Sequence, residues 1–131
     1  VAAAQHAGKV AVGPGRQRLE QIVAIGEEDG DGMDDAAYLK VLGNTLPRLL
    51  DEVQPDFVFF QSGVDILESD KLGRLAVSRD GCRERDRMVF QHCKNNRLPV
   101  VASMGGGYSP RISDIVEAHA NTFRVAQEIF F

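Results

Sequence analysis

The sequence predicts an α/β fold with three layers, a mostly parallel sheet carrying helices on both faces, present here as part of a domain. Three observations lead to it. Phe57-Val58-Phe59-Phe60 is apolar without alternation, which suits a strand covered on both faces, and it breaks at Gly63 just before the carboxylate of Asp65. Leu98-Pro99-Val100-Val101-Ala102 has the same form and runs into Gly105-Gly106-Gly107-Tyr108. Helical periodicity precedes, separates and follows these runs, so the order is helix, strand, helix, strand, helix, with right-handed crossovers expected. In open α/β sheets ligands sit beyond the carboxyl ends of the strands, which points to Asp65 and the glycine loop.

Taken in order, residues 1–15 are small and glycine-rich, with Gly13-Pro14-Gly15 a breaker, and are expected to form an irregular arm; the domain portion is placed at 16–131. Ile22-Val23-Ala24-Ile25 is a candidate edge strand. The acidic stretch that follows contains Asp29-Gly30-Asp31-Gly32. It fails the calcium-loop pattern, because the fifth, sixth and twelfth positions fall on Met33, Asp34 and Lys40. It reads instead as a solvated loop, with Asp34 or Asp35 capping the next helix.

Tyr38, Leu39, Leu42, Leu46, Leu49, Leu50 and Val53 recur at helical steps and predict a helix over 35–52, kinked or split at Pro47. Ser78 reads as the cap of a helix reaching about residue 95. Its inward face would carry Cys82, Val89, Phe90 and Cys93. Arg79, Arg83, Arg85, Arg87 and Lys94, interleaved with Asp80, Glu84 and Asp86, would form a solvated face rather than a nucleic-acid patch. On one helix the two cysteines lie about 16 Å apart, beyond disulfide reach, and are expected as reduced thiols. Ser109-Pro110 predicts a cap and first turn for a helix over 111–130, with Ile112, Ile115, Val116, His119, Ala120, Phe123 and Phe130 on one stripe.

The 131 residues are 44% hydrophobic and 26% charged, an ordinary globular composition, and a formal charge of −4 gives no general attraction to nucleic acid or an anionic membrane. No apolar run approaches the roughly 20 residues of a bilayer span. The opening Val-Ala-Ala-Ala-Gln-His does not read as a signal peptide, so a cytoplasmic protein is expected. Without an initiator methionine, Val1 is not expected to be a natural beginning.

Pro55-Asp56 leading into the strand and two blocks carry a family resemblance: Gln61-Ser62-Gly63-Val64-Asp65-Ile66-Leu67-Glu68-Ser69-Asp70-Lys71-Leu72-Gly73-Arg74-Leu75, and Gly105-Gly106-Gly107-Tyr108. In this order and at this separation the chain resembles the C-terminal half of the zinc-dependent histone deacetylase and acetylpolyamine amidohydrolase superfamily. Residues 104–122 are most similar to its bacterial and class IV branch. The resemblance implies an arginase/deacetylase-like α/β domain, one zinc ion, and an acetylated lysine or small acetylated amine as substrate.

It also implies roles: Asp65 as a zinc ligand and Tyr108 as the catalytic donor to the acyl oxygen. Leu72, Gly105, Gly106 and Gly107 would line the substrate tunnel or its loop, and Asp70 would be a loop-fixing carboxylate. Read without the resemblance, Asp65 is a turn residue, Tyr108 a packed aromatic and His119 a hydrogen-bonded core histidine, with His6 and His92 at the surface. The family also uses an Asp-x-His motif and a His-His pair, and His6, His92 and His119 supply neither. This chain alone is therefore expected to lack hydrolase activity. The alternatives are an inactive deacetylase-like remnant or interaction module, and a nucleotide-binding domain using the three glycines, whose spacing fits no phosphate-loop motif.

Overall fold

The computed structural model describes Lys9–Gly13, Gln21–Ala24 and residues 31–131. Its elements are β1 (Lys9–Gly13), β2 (Gln21–Ala24), α1 (Asp35–Val53), β3 (Phe57–Gly63), α2 (Arg79–Asn95), β4 (Val100–Gly105) and α3 (Ile112–Phe130). One sheet runs in the order β2-β1-β3-β4.

The β3–β4 pair is parallel, from Val58 opposite Val100 to Gly63 opposite Gly105, with α2 in the crossover. Both β1–β2 and β1–β3 are antiparallel, so β2, β3 and β4 run the same way, as expected of a mostly parallel sheet, and β1 alone among the described strands runs against them. The reason lies in connection length. Residues 14–20 are too few for a parallel crossover, which takes a dozen or more. Strand β1 also replaces part of the irregular arm expected for residues 1–15; five residues are too short to display a period, and pairing with strands on both sides decides the matter. Residues 1–8 and 14–15 of that arm, His6, Ile25 and the Asp29-Gly30 part of the acidic loop lie outside the described residues.

Helix α1 starts at Asp34, whose carboxylate accepts from the Ala37 N–H at 3.0 Å. It runs unbroken through Pro47 instead of splitting there. An interior proline costs about 3 kcal/mol. The buried Leu42 and Leu46 before it and Leu49 and Leu50 after it each contribute about 1.5–3 kcal/mol on burial, so packing outweighs the lost hydrogen bond.

The core joins all three helices to one face of the sheet. Val58 and Phe60 are buried there with Tyr38, Leu42, Val89, Phe90, Ala118 and Val125, and Phe60 meets Phe90 edge to face at 5.6 Å. The other face leaves Phe59 and Val101 each 48% exposed. Among the described residues a single helical layer therefore covers the sheet, as befits part of a domain.

Two helix faces differ from expectation. On α2, Ser78 caps through Gly81 and Cys82, Val89, Phe90 and Cys93 are buried as read. Arg85 and Asp86 are buried as well, although their charge placed them outside. On α3 the buried stripe is Asp114, Ala118, Thr122, Val125 and Ile129, while Ile112, Val116 and Phe123 are exposed. Small residues pack closely against α2 and turn the larger apolar ones away. The helix begins at Ile112 with Arg111 at the cap position, so Ser109-Pro110 does not start it; Ser109 instead shares a 2.7 Å hydrogen bond with Ser69.

Candidate active site

The chain leaves β3 at Gly63 and enters a closed loop from Val64 to Val77. Val64, Ile66, Leu67 and Val77 are buried beneath it, and the Val77 N–H donates to the Ile66 carbonyl at 3.1 Å, sealing its neck. Its far side is fastened to the start of α1. The Gly32 N–H donates to Arg74 and the Ala76 N–H to Met33, at 2.7 and 2.9 Å. Asp35, not needed as a cap, accepts from both the backbone N–H and the hydroxyl of Ser78 at 2.6 Å, which ties the start of α1 to the start of α2.

Asp65 stands at the beginning of this loop, held between two glycines. A Cβ added at Gly73 would lie 1.8 Å from the Asp65 carbonyl oxygen, and one at Gly106 would lie 2.8 Å from the Asp65 carboxyl carbon. Gly106, at φ 65°, and Gly107, at φ 111°, also occupy backbone conformations that side chains disfavour. These glycines allow the loop after β4 to press directly onto the acid after β3.

Asp70 joins the same two loops. One of its oxygens accepts from the N–H groups of Leu72 at 2.9 Å and Gly73 at 2.8 Å, and the other accepts from the Tyr108 N–H at 2.6 Å. Tyr108 is thereby held by its backbone while the residue remains 59% exposed, and Leu72 is 48% exposed. Gly105 faces Gln61, whose amide an added Cβ would approach to 2.6 Å.

His119 reaches this region from α3. Burial lowers its pKa below the ordinary histidine value while the Gly106 backbone pulls the other way, so the ring is neutral at pH 7. The ring is hydrogen-bonded to the Gly106 backbone, as expected of a core histidine, while its Nδ1 is buried with no hydrogen-bond partner among the described residues. Cys82 and Cys93 are buried free thiols; burial pushes Cys93 up to about 11, which makes it a poor nucleophile at neutral pH.

Of the residues singled out in the sequence, Asp65, Gly73 and Gly106 come into one contact, and Asp70, Leu72, Gly73 and Tyr108 into another. Among the described residues no group of three or more His, Cys, Asp or Glu gathers as a metal site. Zinc takes three or four protein donors, so these residues do not by themselves make a zinc site. Arg85, whose charge suggests a solvated position, is buried and donates to the Gly63 carbonyl behind the site. It follows Cys82 by three residues and precedes Val89 by four, a spacing that puts it on the buried stripe.

An α/β segment whose strand-end acid meets a glycine-tyrosine loop defines the class. The histone deacetylase domain family matches residues 8–123, and the chain belongs to it. An uncharacterized protein of Picosynechococcus sp. is 39% identical over 100 residues, covering 76% of this chain and 33% of that protein. Histone deacetylase 2 of Arabidopsis thaliana is 38% identical over 71 residues, covering 54% of this chain and 18% of that protein. Acetylpolyamine aminohydrolase from Burkholderia pseudomallei superposes with a TM-score of 0.61 at 27% identity, over 76% of this chain and 27% of that one. The chain spans a third or less of each of these proteins. No helix among the described residues is long and apolar enough to cross a membrane.

Proposed function

We propose that this chain is the distal part of a cytoplasmic, zinc-dependent deacetylase that hydrolyses the amide of an acetylated lysine or a small acetylated amine. Asp65 is one carboxylate ligand of the zinc ion, whose remaining donors come from outside the described residues. Tyr108 is the catalytic donor: attack on the amide carbon builds negative charge on the acyl oxygen, and a phenol aimed there stabilises the transition state more than the substrate. Leu72 forms part of the substrate tunnel, and Gly105, Gly106 and Gly107 let the backbone run close beside it.

The observation that carries this reading is the junction of the two loops. Gly106 lies against the Asp65 carboxyl, and Asp70 holds the Tyr108 N–H at 2.6 Å while also bonding its own loop. An acid and a phenol from strands paired in parallel thus come from one braced unit. A donor must be fixed before reaction if it is to act without reorganisation cost.

A second reading, a deacetylase-like interaction module without catalysis, draws on the sequence: none of His6, His92 and His119 belongs to an Asp-x-His motif or a His-His pair. The coding sequence upstream of Val1 separates the two. An in-frame Asp-x-His motif preceded by a His-His pair supports the hydrolase; a start codon close to Val1 with neither motif supports the module and ends the catalytic reading.

A further inference from the structure

We propose that Arg85 is a positioning residue for the site, holding the end of β3 that presents Asp65, with Asp86 and Thr122 orienting it in turn. The proposal rests on the assignment of Asp65 and Tyr108 given above and deepens it.

The starting observation is a charge where none is needed for packing. Arg85 is 1% exposed and Asp86 0%. Taking two ions out of water costs several kcal/mol each, and well-packed apolar residues of the same volume are often at least as stable. Stability alone therefore does not account for the pair.

Its contacts show what it does instead. Arg85 Nε donates to Asp86 Oδ1 at 2.9 Å, and Nη2 stands 2.7 Å from the same oxygen in ion-pair contact. The other Asp86 oxygen accepts from the Thr122 hydroxyl at 2.7 Å, so α3 fixes the acid that fixes the arginine. The guanidinium lies 5.5 Å from the centre of the Phe60 ring, and Tyr38, kept protonated by burial, stands beside it. With its orientation set, Nη1 donates to the carbonyl of Gly63.

That carbonyl belongs to the last residue of β3, two positions before Asp65. The next residue, Val64, donates its N–H to the Gly105 carbonyl at 3.0 Å, and Gly105 leads directly into Gly106, Gly107 and Tyr108. One buried guanidinium thus braces the point from which both the acid and the phenol loop depart. A lysine, with a compact ammonium in place of a planar fork, cannot hold Asp86 and the Gly63 carbonyl in the same geometry.

The test uses the complete gene product that carries this chain, with Arg85→Lys and Thr122→Val. Two readouts are taken well below the melting temperature: kcat and KM for an acetyl-lysine peptide, and amide hydrogen exchange at both ends of β3. Val58, which donates to the Pro99 carbonyl at 2.9 Å, reports the start of the strand, and Val64 reports its end.

For Arg85→Lys the expected result is a kcat lowered on the order of 10²-fold with KM nearly unchanged, the effect of a small misplacement of reacting groups. Exchange should quicken at Val64 and stay unchanged at Val58. Thr122→Val should move both readouts the same way by less, and it carries the test if Arg85→Lys does not fold. An unchanged kcat per folded molecule, or Val58 and Val64 losing protection together, would overturn the proposal. The exchange result judges the hold on β3 even in a protein without turnover. Tyr108→Phe is the separate control: full turnover in that variant defeats the role given to Tyr108, and no acetate release by the parent protein defeats the deacetylase reading instead.

Discussion

Replacing Asp70 should separate the two loops that meet at the site. Its carboxylate accepts from the N–H groups of Leu72, Gly73 and Tyr108 at 2.9, 2.8 and 2.6 Å. A hydrogen bond to a charged group is worth about 1.5–3 kcal/mol, but the exposed Leu72 and Tyr108 donors can turn to water, so Asp70→Ala should cost about 2–4 kcal/mol rather than the sum of three bonds. Asp70→Asn is the sharper probe. It keeps one acceptor oxygen for Leu72 and Gly73 and turns an amide NH2 toward the Tyr108 N–H, so it should cost about 1–2 kcal/mol. Urea unfolding at constant slope gives the stability change, and amide exchange at Tyr108 gives the local one. The reasoning is refuted if Asp70→Ala changes stability by less than about 0.5 kcal/mol, the usual scale for a surface substitution. It is equally refuted if Tyr108 exchanges at the wild-type rate in Asp70→Asn.

Three further outcomes follow from the same geometry. Gly106→Ala and Gly32→Ala both place a side chain in the left-handed region, which costs about 1–2 kcal/mol, but only Gly106 has the Asp65 carboxyl against it. Gly106→Ala should therefore be the more destabilising in parallel thermal melts, and equal losses would deny the close approach. Asp35→Ala removes both bonds to Ser78 and should lower stability by about 2–3 kcal/mol in urea titrations, whereas a loss near zero would mean the α1–α2 tie is dispensable. Burial raises Cys93 from 9.0 to about 11, so above pH 9 the unfolded thiol ionises first; its contribution, complete below pH 9, is lost as pH rises through about 11. Unfolding midpoints compared across that range should fall less steeply in Cys93→Ala than in the parent, and parallel slopes would remove Cys93 as the cause.

How far the sequence could be read depended on the range of the interactions involved. The two apolar runs ending in glycine revealed β3 and β4 because each strand is long enough to show its character. Strand β1 did not, since Lys9–Gly13 is short and its state is decided by partners distant in sequence. Arg85 and Asp86 fall on the inward stripe of α2 by spacing, but charge argues for the surface; partners from other elements, the Gly63 carbonyl and the Thr122 hydroxyl among them, make their burial affordable. For α3 the largest apolar residues were the wrong guide, because close packing on α2 selects Ala118 and Thr122. At the site, the strand ends and glycine loop were legible as places. The partners of Asp70 were not, since Tyr108 is 38 positions away and the bond depends on how two loops fold over one another.

The account stands most directly on Tyr108. The complete gene product should release acetate from an acetyl-lysine peptide or an acetylated amine, and Tyr108→Phe, which removes only the hydroxyl, should lower kcat by about 10²–10³-fold, the cost of losing one preorganised donor to a developing oxyanion. Turnover at the parent rate in Tyr108→Phe would contradict it.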